Sequence, residues 1–268
     1  MSVRCTCAAG YRPSGLTPLQ CVASMFSTVH NETWNVLTHA IPLVMAVMFL
    51  VSNDWHARPA QYALYGAQVM GIVLVLAGSS TYHMMMPACT TQKAYDRLLL
   101  ADALCIWVLQ FSIVCGVVHY GFVCAPPGVK ALAAVPFPLL ALYLLISART
   151  ARDRMVATGV LCLARYVAYA LRPFIGHNSA APLVYYLLGE ALMFVGGYIN
   201  VRRLPERYSP GRFDIGLNSH QLFHVLTAAA MACVCVAAAS DCAYLELSAE
   251  LQQCADEPLV RLEQWALQ

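Results

Sequence analysis

Residues 219–224 read Ser-His-Gln-Leu-Phe-His, and the chain then stays apolar from Val225 to Ser240. This length and composition are typical of a helix that crosses a membrane. His220 and His224 are four residues apart, so on a helix their side chains lie on one face. Two imidazoles at the first turn of a buried helix indicate a metal site. The simpler alternative is a pair of interfacial histidines without a chemical role.

The composition places the whole chain in a membrane. Of 268 residues, 60% are hydrophobic and only 11% are charged, and the mean hydropathy is +0.60. Soluble domains carry about 45–50% apolar and about 25% charged residues. A water-soluble protein of this size could not bury so much apolar surface. We therefore predict a multi-pass integral membrane protein whose partner is the lipid bilayer, and we expect no nucleic-acid partner.

Seven apolar stretches predict an all-α membrane protein, a bundle of seven transmembrane helices. A helix needs about 20 residues to cross a bilayer, and each stretch is close to this length. They are residues 35–51, 62–86, 98–122, 129–148, 155–175, 181–199 and 219–240, the first of which we expect to begin nearer Asn31. We divide the chain into an N-terminal segment without a signal-peptide core (1–30), the transmembrane domain (31–240) and a short acidic tail (241–268).

The basic residues predict the orientation of these spans. Cytoplasmic loops carry an excess of Lys and Arg. Eleven of the 16 basic residues lie in the N-terminal segment and the even-numbered loops, namely Arg4, Arg12, Lys93, Arg97, Arg149, Arg152, Arg154, Arg202, Arg203, Arg207 and Arg212. Four lie on the other side, namely Arg58, Lys130, Arg172 and Arg261, and Arg165 lies within a span. We predict a cytoplasmic N-terminus and an extracytoplasmic C-terminus, opposite to rhodopsin-type receptors.

This orientation brings ionisable side chains from three spans to one depth. His83 lies near the cytoplasmic end of span two, Asp102 about one turn into span three, and His220 and His224 at the start of span seven. Ionisable groups within a membrane are costly and usually mark function. Three histidines and a carboxylate in one layer therefore favour the metal site over the simpler alternative.

Other polar residues have less specific interpretations. In span one, Asn31, Glu32, Asn35 and His39 recur at helical spacing, and we predict a polar network there rather than direct metal ligands. Asn218 or Ser219 is expected to cap the seventh helix. The loop before this helix is basic, which we interpret as a topology signal and an attraction to anionic lipid; its arginines are Arg202, Arg203, Arg207 and Arg212.

Twelve cysteines do not form a zinc-finger pattern. Of these, Cys124, Cys242 and Cys254 are predicted to lie on the extracytoplasmic side, where disulfides form. The three cysteines allow one disulfide, and the sequence leaves open whether and how they pair.

Three blocks of sequence resemble the progestin and adipoQ receptor (PAQR) family, which is related to the haemolysin III proteins. The first block, residues 31–39, reads Asn-Glu-Thr-Trp-Asn-Val-Leu-Thr-His. The second, residues 79–83, reads Ser-Ser-Thr-Tyr-His and is followed by Leu-Ala-Asp at 100–102. The third begins with Pro-Glu-Arg-Tyr-Ser-Pro-Gly-Arg-Phe-Asp at 205–214 and leads into residues 219–224. The resemblance covers about residues 10–240 and implies a cytoplasmic N-terminus.

The resemblance implies a zinc ion, Zn2+, held by His83, His220 and His224, with Ser79 and Asp102 as catalytic candidates. Three imidazoles leave one tetrahedral position open, as in catalytic zinc sites, and zinc makes a bound water acidic near neutral pH. In this arrangement Asp102 would serve as a general base. Ser79 lies one turn before His83 on the same helical face.

The resemblance implies a receptor for a hormone or lipid, which also hydrolyses a lipid amide in the manner of a ceramidase. Three alternatives stay open. One is a dedicated zinc-dependent ceramidase or other lipid amidohydrolase without a hormone ligand. The second is a lipid or hormone receptor in which zinc is structural, and the third is a membrane scaffold without catalysis. The membrane can be the plasma membrane or an endomembrane, and homo-oligomer formation is open as well.

Overall fold

The computed structural model describes residues 10–53, 59–148, 150–175 and 180–248, and all regular structure within these ranges is helical. Arg4, Arg58, Arg149, Arg261 and Cys254, which entered the predictions of topology and disulfide pairing, lie outside the described residues, as does the tail from residue 249 onward. The helices are α1 (Pro18–Ser27), α2 (Thr33–Ser52), α3 (Pro59–Met85), α4 (Gln92–Gly121), α5 (Pro127–Ala134), α6 (Pro136–Ser147), α7 (Ala151–Ala164), α8 (Tyr166–Ile175), α9 (Ala180–Arg202) and α10 (Ser219–Leu247).

Seven segments are long and apolar enough to cross a membrane, which confirms the predicted class. They are Thr33–Ser52, Tyr62–Ala88, Gln92–Gly121, Pro127–Ser147, Arg152–Phe174, Ala180–Arg202 and Ser219–Leu247. Large apolar side chains stay exposed at helical spacing, as Ile41, Val44 and Met48 do on α2. Apolar surface of this kind is expected where lipid rather than water surrounds a helix. The chain is therefore an integral, multi-pass membrane protein.

Two predicted spans are interrupted helices. The fourth is divided at Val135, because Pro136 and Pro138 have no backbone N–H with which to continue the hydrogen-bond ladder. The fifth is divided at Arg165, whose buried guanidinium donates to the side-chain oxygen of Gln110. Membrane helices tolerate such breaks where side chains or neighbouring helices satisfy the freed groups.

The ends of the chain also differ from the predicted bounds. The first span begins at Thr33, close to the expected earlier start, and α10 continues past the predicted end at Ser240 to Leu247. The N-terminal segment contains α1, which the sequence analysis did not predict. Its start is a capping box, in which the Thr17 hydroxyl accepts from the backbone of Gln20 and the Gln20 side chain accepts from the backbone of Thr17.

The helices form two compact units. The first contains the described residues up to Ser52 together with Ile72–Cys105 and Leu188–Ala232. The second contains Asn53–Gly71, Ile106–Leu187 and the described residues from Cys233 onward.

Within the second unit, a buried ion pair joins α8 to α10. Arg172 donates from Nη1 to Asp241 Oδ2 at 3.1 Å and from Nη2 to Asp241 Oδ1, and both side chains are 1% exposed. Such a pair is expected inside a membrane bundle, where an unpaired charge is strongly unfavourable.

Two of the three candidate disulfide cysteines lie among the described residues, and they differ in oxidation state. Cys124 is disulfide-bonded. Cys242 is a free, buried thiol within α10.

Candidate metal centre

His83, His220 and His224 come together within the first unit, as the sequence predicts. His83 lies in the last turn of α3, and the other two occupy the first two turns of α10. One ring nitrogen from each histidine lies within 4.8 Å of the corresponding nitrogens of the other two, an arrangement that could hold a metal ion. His83 and His224 are buried, and His220 is partly buried.

The cap of α10 fixes the two histidines that follow it. Asn218 accepts through Oδ1 a 3.0 Å hydrogen bond from the backbone of Gln221, and the Gln221 side chain accepts in return from the backbone of Asn218. This is a reciprocal capping arrangement, and it confirms the predicted cap at Asn218. These two hydrogen bonds fix the backbone at the start of α10. The side chain of His220 therefore enters the site from a defined direction.

Each histidine uses its Nδ1 atom for a hydrogen bond to a protein acceptor. Nδ1 of His83 lies 2.8 Å from Oε2 of Glu32. Nδ1 of His220 lies 3.4 Å from the side-chain oxygen of Asn200. Nδ1 of His224 lies 3.2 Å from the backbone oxygen of Asn35. With these oxygens as acceptors, the matching tautomer carries its proton on Nδ1 and leaves a lone pair on Nε2.

This pattern is that of metal-binding histidines, which almost always donate their second ring N–H to a carboxylate, a carbonyl or water. The Nε2 atoms of His83 and His220 face each other at 3.2 Å. Two lone pairs at this distance repel unless a cation lies between them. Two nitrogens bound at about 2.0–2.1 Å to one tetrahedral ion are about 3.3 Å apart, so this pair is spaced as two ligands of a common metal ion would be.

Glu32 connects the polar residues that precede and begin span one to the metal centre. Its two carboxylate oxygens accept from the side-chain amides of Asn31 and Asn35, each at 2.7 Å, and Oε2 also accepts from His83. Burial raises the pKa of Glu32, but the hydrogen bonds from His83 and Asn35 outweigh it and bring the pKa below its usual value. The carboxylate therefore stays ionised and holds the His83 tautomer. The predicted polar network is present for Asn31, Glu32 and Asn35.

His39, the fourth residue of the predicted network, has no hydrogen-bond partner at either ring nitrogen among the described residues and packs on the site instead. Its ring stacks on the ring of His224, with centroids 3.9 Å apart and planes inclined by 12°. The side chain is 4% exposed, so it shields His224 from solvent and restricts its ring orientation.

Arg12 of the N-terminal segment holds the end of α3. Its guanidinium donates from Nη2 to the backbone oxygen of His83 at 2.6 Å and from Nη1 to that of Met84 at 3.0 Å. The last carbonyls of a helix have no partner within the helix, and a cation there is favourable. Arg12 thus caps the turn that carries a candidate metal ligand.

Asp102 and Ser79, the two predicted catalytic residues, belong to the same unit. The half-buried Asp102 is close enough to interact electrostatically with His83, and its Oδ1 atom is buried without a hydrogen-bond partner. Gly78 makes this approach feasible, because a Cβ at that position would lie 2.9 Å from the Cys105 sulfur on the facing helix. Ser79 is buried one turn before His83 on α3.

Comparison with known proteins identifies the class. The family model for haemolysin III-related proteins matches residues 27–235. The chain is 32% identical over 224 residues to progestin and adipoQ receptor family member 4 of Homo sapiens, covering 81% of each chain. It is 32% identical to the Mus musculus protein of the same name, again over 81% of each chain, and 26% identical to the Drosophila melanogaster adiponectin receptor protein over 82% of this chain and 52% of that one. The chain therefore belongs to the haemolysin III-related family of membrane proteins, which includes progestin and adipoQ receptors.

Several residues that support the site were not predicted for that role. Arg12 was counted only as a marker of topology, and Asn200 was assigned only to a connecting loop. The hydroxyl of Thr38 lies 3.2 Å from Nδ1 of His224. Thr38 is uncharged, so its presence in a span did not indicate a role in the site. No spacing rule could have identified these contacts, because each joins residues that are distant in the sequence.

Proposed function

We propose that the chain is a receptor of the progestin and adipoQ type that senses a lipid or hormone and hydrolyses a lipid amide, such as a ceramide, at a zinc site. The zinc ligands are His83, His220 and His224. The observation that carries the proposal is that three imidazoles meet while each donates its Nδ1 proton to a separate acceptor. Such support selects the neutral tautomer that binds a metal.

The number of ligands favours catalysis over a purely structural role. Structural zinc sites are closed by four protein ligands, whereas catalytic sites have three and leave one position open. His83, His220 and His224 would hold the zinc ion, which when bound would act as a Lewis acid and make a bound water molecule acidic near neutral pH. Glu32 and Asn200 orient the imidazoles, and Arg12 fixes the turn that carries His83.

Asp102 is the group that moves the proton. It accepts a proton from the attacking water, whose oxygen forms a bond to the amide carbonyl carbon. It returns the proton to the amide nitrogen as the carbon–nitrogen bond breaks, which yields a fatty acid and an amine. The unpartnered Oδ1 of Asp102 is suited to this role because no protein donor occupies it. Ser79 orients the reacting groups from the preceding turn of α3.

The orientation of the chain agrees with this function. We propose a cytoplasmic N-terminus, so that the metal centre lies near the cytoplasmic face. The disulfide-bonded Cys124 supports the proposal, because it follows α4 on the opposite side, where the compartment is oxidising.

A receptor in which zinc is structural is the second candidate. It is favoured by the printed name of the Drosophila relative, an adiponectin receptor protein. In that case the same three histidines would tie α3 to α10, and ligand binding would act on the cytoplasmic ends of these helices without turnover.

Fatty-acid release by the purified full chain separates the two candidates. Wild type and Asp102→Asn are incubated with ceramide in detergent, and zinc content is measured on the same samples. Asp96→Asn is the matched control, because Asp96 lies on the same helix and, among the described residues, its side chain accepts a hydrogen bond from Gln92 alone. We expect release by wild type and Asp96→Asn, loss of release in Asp102→Asn, and equal zinc in all three. Zinc-loaded wild type without release would contradict hydrolysis of ceramide.

A further inference from the structure

A cavity of about 640 Å³ lies between the Val201–Asn218 segment and the N-terminal segment, within the first unit. Its wall includes three guanidinium groups, two carboxyl groups and a phenol; these belong to Arg202, Arg203, Arg207, Glu206, Asp214 and Tyr11. Sites for small ligands usually measure about 300–1,000 Å³, so this cavity is large enough for a small polar group.

The three arginine side chains of this cavity are exposed and available. None of them donates a hydrogen bond or forms an ion pair with another described residue; Arg203 acts on Glu206 only through longer-range attraction. Arg202 ends α9, Arg203 follows it, and Arg207 lies one turn further along the loop. Three guanidinium groups without a hydrogen-bonded partner among the described residues therefore line one cavity.

The two carboxyl groups of the cavity are placed beside other partners. Glu206 accepts through Oε1 a 2.7 Å hydrogen bond from the hydroxyl of Ser219. Burial raises the pKa of Glu206, but the hydrogen bonds from its own backbone and from Ser219 outweigh it and lower the pKa. Asp214 lies beside Tyr11, and burial together with this carboxylate raises the pKa of Tyr11. Apart from the longer-range attraction between Arg203 and Glu206, these carboxyl groups are engaged by Ser219 and Tyr11, and three guanidinium groups against two carboxyl groups give the lining a net positive charge.

We propose that this cavity binds a phosphate monoester, carried by a membrane lipid headgroup or by a soluble phosphate compound. The planar fork of arginine matches phosphate oxygens in two parallel hydrogen bonds. The cavity lies where α9 ends and just before α10 begins, at a boundary of the membrane-spanning segments, where lipid headgroups reside. The site does not depend on zinc or on hydrolysis.

Binding of two probes to the purified full chain in phosphatidylcholine nanodiscs tests this proposal. The probes are a short-chain phosphatidylinositol bisphosphate and inositol trisphosphate, which carries phosphate monoesters without the lipid. Arg207→Gln and Arg203→Gln should each weaken binding about tenfold or more, because each removes charged hydrogen bonds. Arg212→Gln is the matched control, since Arg212 belongs to the same loop but lies over the ring of Phe213 and outside the cavity lining. It should bind like wild type.

The outcomes distinguish the sources of the phosphate. Saturable binding of the lipid alone identifies a headgroup site, and equal binding of both probes identifies a site for soluble phosphate compounds. Arg207→Lys keeps the charge but loses the fork, so it should bind more weakly than wild type. The proposal is overturned if neither probe saturates, if Arg212→Gln weakens binding as much as Arg207→Gln, or if phosphatidylserine, a phosphate diester, competes as well as the probes.

Discussion

Oε2 of Glu32 accepts a 2.8 Å hydrogen bond from Nδ1 of His83, which joins the residue before the first span to the imidazole at the end of the second. This contact places a carboxylate behind a candidate zinc ligand. It raises the basicity of the imidazole and fixes its tautomer, so that Nε2 is left for the metal.

Replacing Glu32 by Gln should weaken zinc binding about 10–100-fold, the usual cost of losing such a partner. Gln has the same shape but no charge, so the fold should survive. Titration of the purified protein with a zinc chelator measures the change. Asp96→Asn is the control. It should leave zinc affinity unchanged, because the Asp96 carboxylate is hydrogen-bonded to Gln92 and to none of the three histidines. Unchanged zinc affinity in Glu32→Gln would contradict the conclusion that Glu32 supports His83 as a zinc ligand.

Replacing Arg12 by Gln should lower both stability and zinc affinity. The change removes charged hydrogen bonds to the carbonyls of His83 and Met84, each worth about 1.5–3 kcal/mol. Thermal unfolding and chelator titration measure the two effects. Arg97→Gln is the control, because Arg97 is an exposed arginine without such bonds on α4. Wild-type zinc affinity in Arg12→Gln would show that the cap does not position His83.

Acid should destabilise the N-terminal segment through His30. Burial, assisted by Arg12, lowers the pKa of His30 from 6.5 to about 4. Between these values the unfolded chain binds a proton that the folded chain does not, so stability falls as the pH drops through this window. Protonation would also end the hydrogen bond that Nδ1 accepts from the backbone of Glu32.

Thermal unfolding at pH values above and within this window measures the effect. Wild type should lose more stability on acidification than His30→Asn, which has no imidazole to protonate. Equal losses in the two proteins would mean that His30 does not titrate in this way.

Replacing Asp241 by Asn should destabilise the second unit by about 3–5 kcal/mol, because it leaves the buried Arg172 without its counter-ion. Zinc content per folded chain should stay at the wild-type level, since Asp241 does not belong to the unit that holds the histidines. Thermal unfolding and metal analysis check the two parts. Ser240→Ala, which loses only a bond to the backbone of Val236, is the neighbouring control. Loss of zinc in folded Asp241→Asn would contradict this separation.

Hydropathy predicts the seven spans because each must satisfy its backbone within a bilayer, and this constraint acts residue by residue along the chain. The His220–His224 pair could be recognised for a similar reason, since helical periodicity alone places both on one face. The proximity of this pair to His83 could be predicted because all three histidines lie at the same depth in their spans.

The supporting contacts could not be read from the sequence. Arg12 reaches the carbonyl of His83 across 71 positions, and no local pattern specifies such a contact. Helix α1 was missed because it is short and contains no span-length apolar run, although its Thr17–Gln20 capping box was present in the sequence. The breaks at Val135 and Arg165 depend on packing and on satisfied polar groups, which hydropathy does not report.

Metal analysis of the purified protein tests the three-histidine site most directly. Wild type, purified without added metal, should contain about one zinc ion per chain, and X-ray absorption should show a zinc environment dominated by nitrogen ligands. Single replacement of His83, His220 or His224 by Ala should remove most of the zinc, whereas His119→Ala, a histidine of α4 in the second unit, should retain it. A folded, monodisperse wild-type preparation that contains no zinc and takes up none on addition would contradict the proposed metal centre.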